Sequence, residues 1–232
     1  MRLAVIPARG GSKRIPRKNI KLFHGKPMIA WSIAVALESG CFDEVIVSTD
    51  DLEIAAIALA YGARVPFMRP ADLACDHTPT IPVVAHAINW FEQQGTVPLD
   101  VCCIYATAPL LQPAAIRAGL DLLNETGAPY TFAATRYAFP IQRALKRMAD
   151  GRMAMFDPSH FATRSQDLEE AFHDAGQFYW GRATAWLAGQ PIFDGSAAVL
   201  LPRHRVQDID TSEDWTRAEW LFAAMQAEAG GG

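Results

Sequence analysis

The sequence predicts an α/β fold, a Rossmann-like and mainly parallel sheet with helices on both faces. Three observations predict it. Short apolar runs recur along the chain without the polar alternation of a sheet that keeps one face wet. Segments of helical periodicity separate these runs. Gly40 and Gly62 follow the first two helical segments, where helix C-caps belong.

Residues 2–7 (RLAVIP) form the first predicted strand, and residues 27–38 a helix that stops at Gly40. Residues 44–48 (EVIVS) are a second buried strand, after which Asp50 caps a helix reaching Tyr61. Residues 64–67 read as a short strand. Residues 80–94 read as a helix with Pro82 in its first turn, where a missing N–H is harmless. A strand at 101–105, a helix at 113–123 and a strand at 130–134 continue the alternation. Near residue 136 the pattern changes. Apolar runs at 145–148 and 152–156 flank Asp150-Gly151, which signals a hairpin. Residues 157–172 are irregular. Strands at 177–180 and 197–201 enclose a short helix at 182–187, and 211–227 is an amphipathic closing helix. We read residues 1–229 as a single domain without internal repeats, with about 136–173 as an excursion from the sheet.

Composition narrows the function. The 232 residues carry a net charge of −4, so no bulk positive charge argues for nucleic acid. Residues 9–26 differ from the rest: Arg9, Lys13, Arg14, Arg17, Lys18, Lys21 and Lys26 stand there without an acid. Such a cluster in a mildly acidic chain points to one anionic ligand held in one place. Cys41, Cys75, Cys102 and Cys103 have neither CxxC spacing nor a secreted framework. The start of the chain is too short in apolar residues for a signal peptide, and no segment reaches the roughly 18–20 apolar residues of a membrane span. These features together predict a cytoplasmic protein.

The basic run begins Pro7-Ala8-Arg9-Gly10-Gly11-Ser12-Lys13-Arg14-Ile15-Pro16-Arg17-Lys18-Asn19, directly after the first strand. In open α/β sheets ligands bind beyond the carboxyl ends of the strands. Gly10 and Gly11 let backbone N–H groups come close to a ligand, and Arg9, Lys13 and Lys18 neutralise phosphate oxygens. Neither the GxxxxGK[ST] nor the GxGxxG spacing is present, and Pro16 disfavours a helix directly after the glycines. The loop is therefore expected to wrap over phosphates. The plainer reading is a surface loop with scattered basic residues.

Asp208 and Asp210 sit two apart, so an extended segment turns both carboxylates to one face. Mg²⁺ binds one or two carboxylates together with phosphates and water. Helix capping competes for this stretch, because Thr211-Ser212-Glu213-Asp214 opens the last helix.

The loop resembles the signature of cytidylyltransferases that activate sialic acids and related nonulosonic acids. Ile46-Val47-Ser48-Thr49-Asp50, Arg69-Pro70-Ala71-Asp72-Leu73-Ala74 and Asp208-Ile209-Asp210-Thr211 fit the same family in the same order. The resemblance covers nearly the whole chain. It implies a nucleotidyltransferase-type fold, CTP as donor, Mg²⁺ (or Mn²⁺) as cofactor, and a homodimer whose excursion lies near the partner's acceptor site. It also implies roles. Ala8, Arg9, Gly10, Gly11, Ser12 and Lys13 hold the CTP phosphates, while Asn19, Arg69 and Thr80 line the nucleoside. Arg9, Lys18, Asp208 and Asp210 are the catalytic set, and Asp208 and Asp210 carry the metal. Tyr105, Gln142, Arg164, Gln177, Phe178 and Tyr179 fall on the acceptor side. For Phe178 and Tyr179 plain core packing explains the residues equally, and for Arg164 a structural ion pair competes.

The sugar side departs from the sialic-acid pattern. Gln166-Asp167-Leu168-Glu169 replaces a Gln-x-Leu-Pro stretch, Ala175-Gly176-Gln177-Phe178-Tyr179 replaces Asn-Gly-Ala-Ile-Tyr, and Leu111 stands where an arginine is common. Asp-His-Thr-Pro-Thr at 76–80, Tyr105-Ala106-Thr107-Ala108-Pro109 and Phe139-Pro140-Ile141-Gln142 resemble the pseudaminic-acid branch of the family. The implied reaction moves CMP from CTP to the anomeric hydroxyl of a nine-carbon acidic sugar. N-acetylneuraminate or octulosonate transfer, or CTP binding without turnover, are the alternatives. None of His77, His86, His160 and His173 has a sequence partner that marks it as a general base.

Overall fold

The computed structural model describes residues 1–75 and 78–230, so Asp76 and His77 of the 76–80 motif lie outside the described residues. Six strands build the central sheet: β1 (Arg2–Pro7), β2 (Glu44–Ser48), β3 (Asp100–Ile104), β4 (Tyr130–Arg136), β5 (Phe172–Arg182) and β6 (Ala197–Leu200). Their order is β6-β4-β5-β3-β1-β2, with β5 antiparallel to both neighbours and every other pair parallel. The sheet is thus mainly parallel, as the apolar runs require.

The reason both faces are apolar is visible in β1. Ala4 and Ile6 pack with α1 (Met28–Ser39), α2 (Leu52–Ala60) and α4 (Pro113–Thr126). Leu3 and Val5 pack with α3 (Thr80–Gln93) and α5 (Ala183–Leu187) on the other face. Helices cover both pleats, so no position along such a strand needs to be polar. Cys102 and Cys103 divide between the same two faces, and burial pushes both thiols well above their ordinary range.

Some predicted elements change. The helix after β2 is capped by Asp51, whose carboxylate accepts from the Glu53 and Ile54 amides, and not by Asp50. Residues 64–68 form no strand of their own and meet β2 and Thr49 through isolated bridges at Ile46–Arg64 and Thr49–Met68. The closing helix α6 (Ser212–Gly230) starts one residue later than expected, behind a reciprocal cap between Thr211 and Asp214. In the excursion, Leu145–Arg147 and Met153–Met155 pair as the expected hairpin, with Gly151 at φ +86° in the turn. Among the described residues no helix is long and apolar enough to cross a membrane.

Candidate active site

The carboxyl ends of β1 and β3 open onto a cleft of about 460 Å³. Arg9, Lys13, Arg14, Lys18 and Arg69 line it against a single carboxylate, Asp210. Five cations facing one acid suit a polyphosphate.

Local contacts hold the basic loop at the edge of the sheet. The Ala8 amide continues the sheet by donating to the Ser48 carbonyl at 2.9 Å, and the Gly10 amide donates to Asp50 Oδ1 at 2.9 Å. That bond corrects the expectation that both glycine amides face the ligand: Gly10's is committed to Asp50. Gly10 is a glycine for a different reason, since a Cβ there would fall 2.6 Å from Asp51 Oδ2. Asn19, nearly buried, donates to the Arg9 carbonyl at 2.9 Å and so closes the loop on itself. Lys18 Nζ donates to the Ile209 carbonyl at 2.5 Å and lies 3.5 Å from Asp210. Arg14, which sequence reasoning counted in the basic run but gave no role, pairs with Asp210 at 2.8 Å.

On the opposite wall Arg69 is buried, with Nε on Ser48 Oγ at 3.1 Å and Nη2 on the Ser48 carbonyl. Burial lowers its pKa, and the charge of Asp50 offsets part of that loss. Thr80 opens α3 and shares a 3.1 Å hydrogen bond with the Tyr105 hydroxyl, while Thr78 and Pro79 complete that wall. His86 packs on Phe67 at 4.7 Å between ring centres, and burial, then Arg69, pushes its pKa down.

The two aspartates stand where the N-terminus of α6 meets the cleft. Ile209 between them is fully buried against Phe23, Leu110 and Trp215 and anchors the segment. Thr211 and Asp214 satisfy the cap of α6, so capping does not occupy Asp208 and Asp210. Loss of solvation, then the neighbouring Asp210, raises the Asp208 pKa. A carboxylate held in that way gains from a cation placed beside it. Among the described residues no group of three or more His, Cys, Asp or Glu side chains forms a metal cluster. A pair suffices for an ion that keeps its waters and bridges to phosphate.

Residues 3–193 match a family model described as Cytidylyltransferase. The chain belongs to the cytidylyltransferase family. It is 47% identical over 228 residues, 98% of each chain, to a pseudaminic acid cytidylyltransferase of Campylobacter jejuni. It is 33% identical to the CMP-N,N'-diacetyllegionaminic acid synthase of Legionella pneumophila, over 97% of each chain. Among solved structures, a CMP:2-keto-3-deoxy-manno-octonic acid synthetase complexed with CTP superposes with a TM-score of 0.70, covering 97% of this chain and 99% of that one. At 18% identity that likeness speaks for the fold alone.

In this cytidylyltransferase the predicted nucleotide residues Arg9, Ser12, Lys13, Asn19, Arg69 and Thr80 converge on one cleft with the predicted catalytic residues Lys18 and Asp210, while Ala8, Gly10, Gly11 and Asp208 do not line it. The six acceptor-side residues do not converge. Tyr105 lines the same cleft beside Thr80. Phe178 is fully buried in the core, where its strand turns it toward Gly119 of α4. Tyr179 is buried on the other face, donating to Asp174 Oδ2 at 2.5 Å. Gln177 is buried and donates to the Arg205 carbonyl at 2.6 Å. Gln142 donates to the Glu169 carbonyl within the excursion, where Arg164 is exposed.

Proposed function

We propose that the chain transfers CMP from CTP to the anomeric hydroxyl of pseudaminic acid, a nine-carbon acidic sugar, and releases pyrophosphate. The observation that carries this reading is the cleft: five cations at the carboxyl edge of the sheet, facing Asp210. The full-length relationship to the C. jejuni enzyme supports the choice of acceptor.

The anomeric oxygen bonds to the α-phosphorus while the bond to the bridging oxygen of the β-phosphate breaks. Pyrophosphate leaves with that electron pair, and the hydroxyl proton passes to solvent. Arg9, Lys13 and Lys18 balance the charge that builds on the leaving pyrophosphate. Arg69 and Thr80, on the opposite wall, take the nucleoside. Asp208 and Asp210 would hold Mg²⁺, or Mn²⁺ in its place. When bound, the ion supplies charge neutralisation at the transferring phosphate and orients the nucleophile. Before substrate arrives, Arg14 and Lys18 balance Asp210, and triphosphate competes for both cations.

The active form proposed is a homodimer in the cytoplasm, where CTP is made. The excursion supports the dimer, since Phe139, Phe156 and Phe161 there are 82%, 65% and 73% exposed. A second copy covering these rings would bury the largest apolar side chains left to solvent by the excursion. Sedimentation would read this as twice the chain mass.

The deciding experiment measures pyrophosphate release from CTP and Mg²⁺ with pseudaminic acid, N-acetylneuraminic acid and the octulosonate in parallel. Turnover with pseudaminic acid alone is expected. Turnover with another acceptor keeps the reaction and replaces the sugar. Failure with all three while CTP still binds removes the transferase reading.

A further inference from the structure

The cleft wall opposite the basic loop is backed by a row of hydroxyls. Thr80, which opens α3, and Tyr105, which follows β3, both line the cleft, and their side-chain oxygens lie 3.1 Å apart. Behind them the rings of Tyr105 and Tyr179 stand 5.2 Å apart, and the two phenol hydroxyls are hydrogen-bonded to each other. Tyr179 is buried and donates to Asp174 Oδ2 at 2.5 Å. The Gly176 amide donates to the other oxygen, Asp174 Oδ1, at 2.9 Å. Neither Tyr179 nor Asp174 lines the cleft.

Counting protons fixes the direction of each bond in this row. A hydroxyl has one proton to give, and a carboxylate only accepts. Burial pushes the pKa of both tyrosines up, so both phenols keep their protons. The Tyr179 proton goes to Asp174. Tyr105 must then donate to Tyr179. With its proton spent there, Tyr105 can only accept from Thr80. The Thr80 hydroxyl therefore turns lone pairs, and no proton, to the cleft.

Arg69 stands on the same wall and offers only donors, of which Nε and one on Nη2 go to Ser48. An acceptor beside a guanidinium distinguishes the two pyrimidines. Cytosine carries an amino group at position 4, next to acceptors at N3 and O2. Uracil carries a carbonyl at position 4 and an N–H at position 3. In the pose that pairs Thr80 with the amino group and Arg69 with the ring acceptors, uracil sets acceptor against acceptor and donor against donor. Such mispairing in a desolvated site costs more than the bond it replaces.

We propose that Asp174, Tyr179 and Tyr105 form a positioning row that holds the Thr80 hydroxyl as an acceptor and so selects CTP over UTP, an inference that rests on the nucleotide side of the CMP-transfer reading. Asp174 sets the polarity of the whole row from outside the cleft.

Calorimetry of CTP and of UTP binding with Mg²⁺, without an acceptor sugar, tests this apart from turnover. Wild type should bind CTP at least about 100-fold more tightly than UTP. Tyr179→Phe frees the Tyr105 proton and should lower that ratio at least about tenfold. Asp174→Asn should lower it further. The Gly176 amide keeps the side-chain carbonyl oxygen, so the new NH₂ group faces Tyr179 and donates to it. Each bond in the row then reverses, and Thr80 turns its proton to the cleft. A merely structural loss weakens both nucleotides alike and leaves the ratio where it was. Tyr105→Phe breaks the same row at the cleft wall, so the test survives if a variant of the buried end fails to fold. An unchanged ratio in either folded tyrosine variant overturns the row, as does equal binding of the two nucleotides by wild type. Binding of neither nucleotide by wild type removes the nucleotide reading and the row with it. A wild type that selects CTP through the row but releases no pyrophosphate with any acceptor fails the transfer reading alone.

Discussion

Residues 7–19 and residues 136–173 both leave the sheet at the edge where the site lies, and opposite means hold them there. The basic loop is tied to distant parts of the chain. Ala8 bonds to Ser48, Gly10 to Asp50, Arg17 to Asp51 and Glu53, and Lys18 to Ile209. The excursion is tied mostly to itself. Gln142 reaches Glu169, Arg143 reaches Ser165, and the Phe156 amide bonds to the Ala144 carbonyl. The difference follows from the ligands. A polyphosphate must meet charges already fixed in place, because ordering them during the reaction would forfeit the electrostatic gain. An excursion with exposed aromatic rings gains its order from what covers it.

The largest expected effect tests whether the well-tied half is also the chemical half. Asp210→Asn should lower turnover at least about 100-fold, the scale of losing a main electrostatic stabiliser. Wild type should melt higher when Mg²⁺ and CTP are added together, and the variant should lose that increment. Rates close to wild type would remove Asp210 from the reaction and leave Arg14 and Lys18 without their acid partner.

A smaller effect is expected at the clasp of the loop. Arg17 has φ +55°, a left-handed backbone that favours glycine, yet it sends a fork to Asp51 at 2.5 and 3.1 Å and a further bond to Glu53. Gly10 packs against the same Asp51, so both ends of the loop converge on one carboxylate. The next residue, Lys18, reaches the cleft. Arg17→Gly relieves the backbone and removes the fork, so stability should change by less than about 1 kcal/mol. The KM for CTP should still rise several-fold, with turnover at saturation nearly kept. The fork has a pH signature. The hydrogen bond from Arg17 is the main cause holding the Asp51 carboxyl at about 2, below its ordinary 3.8. A depressed carboxylate contributes stability above its unfolded pKa and loses it as pH falls through the folded one. Wild type should therefore lose that part of its stability between about pH 4 and pH 2, and Arg17→Gly should lose less there. A variant that kept its CTP KM would make Arg17 an ordinary surface ion pair.

Much of the fold was legible because its signals are local. The runs at 2–7, 44–48 and 101–105 are apolar at nearly every position, which only a strand covered on both faces needs. Other features depend on partners far along the chain. The strand β5 starts at Phe172, five residues before the predicted strand, because Phe172, His173 and Asp174 pair with Arg136, Thr135 and Ala134. Their mixed polarity carries no strand signal. Asp50 and Asp51 are equally good cap residues by type and position. The choice between them is made by the Gly10 amide, forty residues away. In the site, the loop and the aspartate pair announce themselves by clustered charge.

The smallest kinetic effect is expected at Phe178, and it sharpens the boundary between the two halves. Resemblance implied an acceptor contact there. The ring is fully buried on the face that carries Trp180, whose indole stacks on Phe42 at 4.9 Å. Gly119 of α4 makes room for it: a Cβ at that glycine would fall 2.6 Å from the ring. A side chain enclosed in this way meets no sugar. Phe178→Leu leaves part of the space unfilled and should cost about 1–2 kcal/mol in denaturant unfolding. Both KM values should stay within about twofold of wild type. A selective rise in the acceptor KM, with stability intact, would return Phe178 to the sugar side and extend the acceptor site through the sheet toward α4. A loss of stability alone would keep Phe178 in the core, packed between Gly119 and the sheet face that carries Trp180.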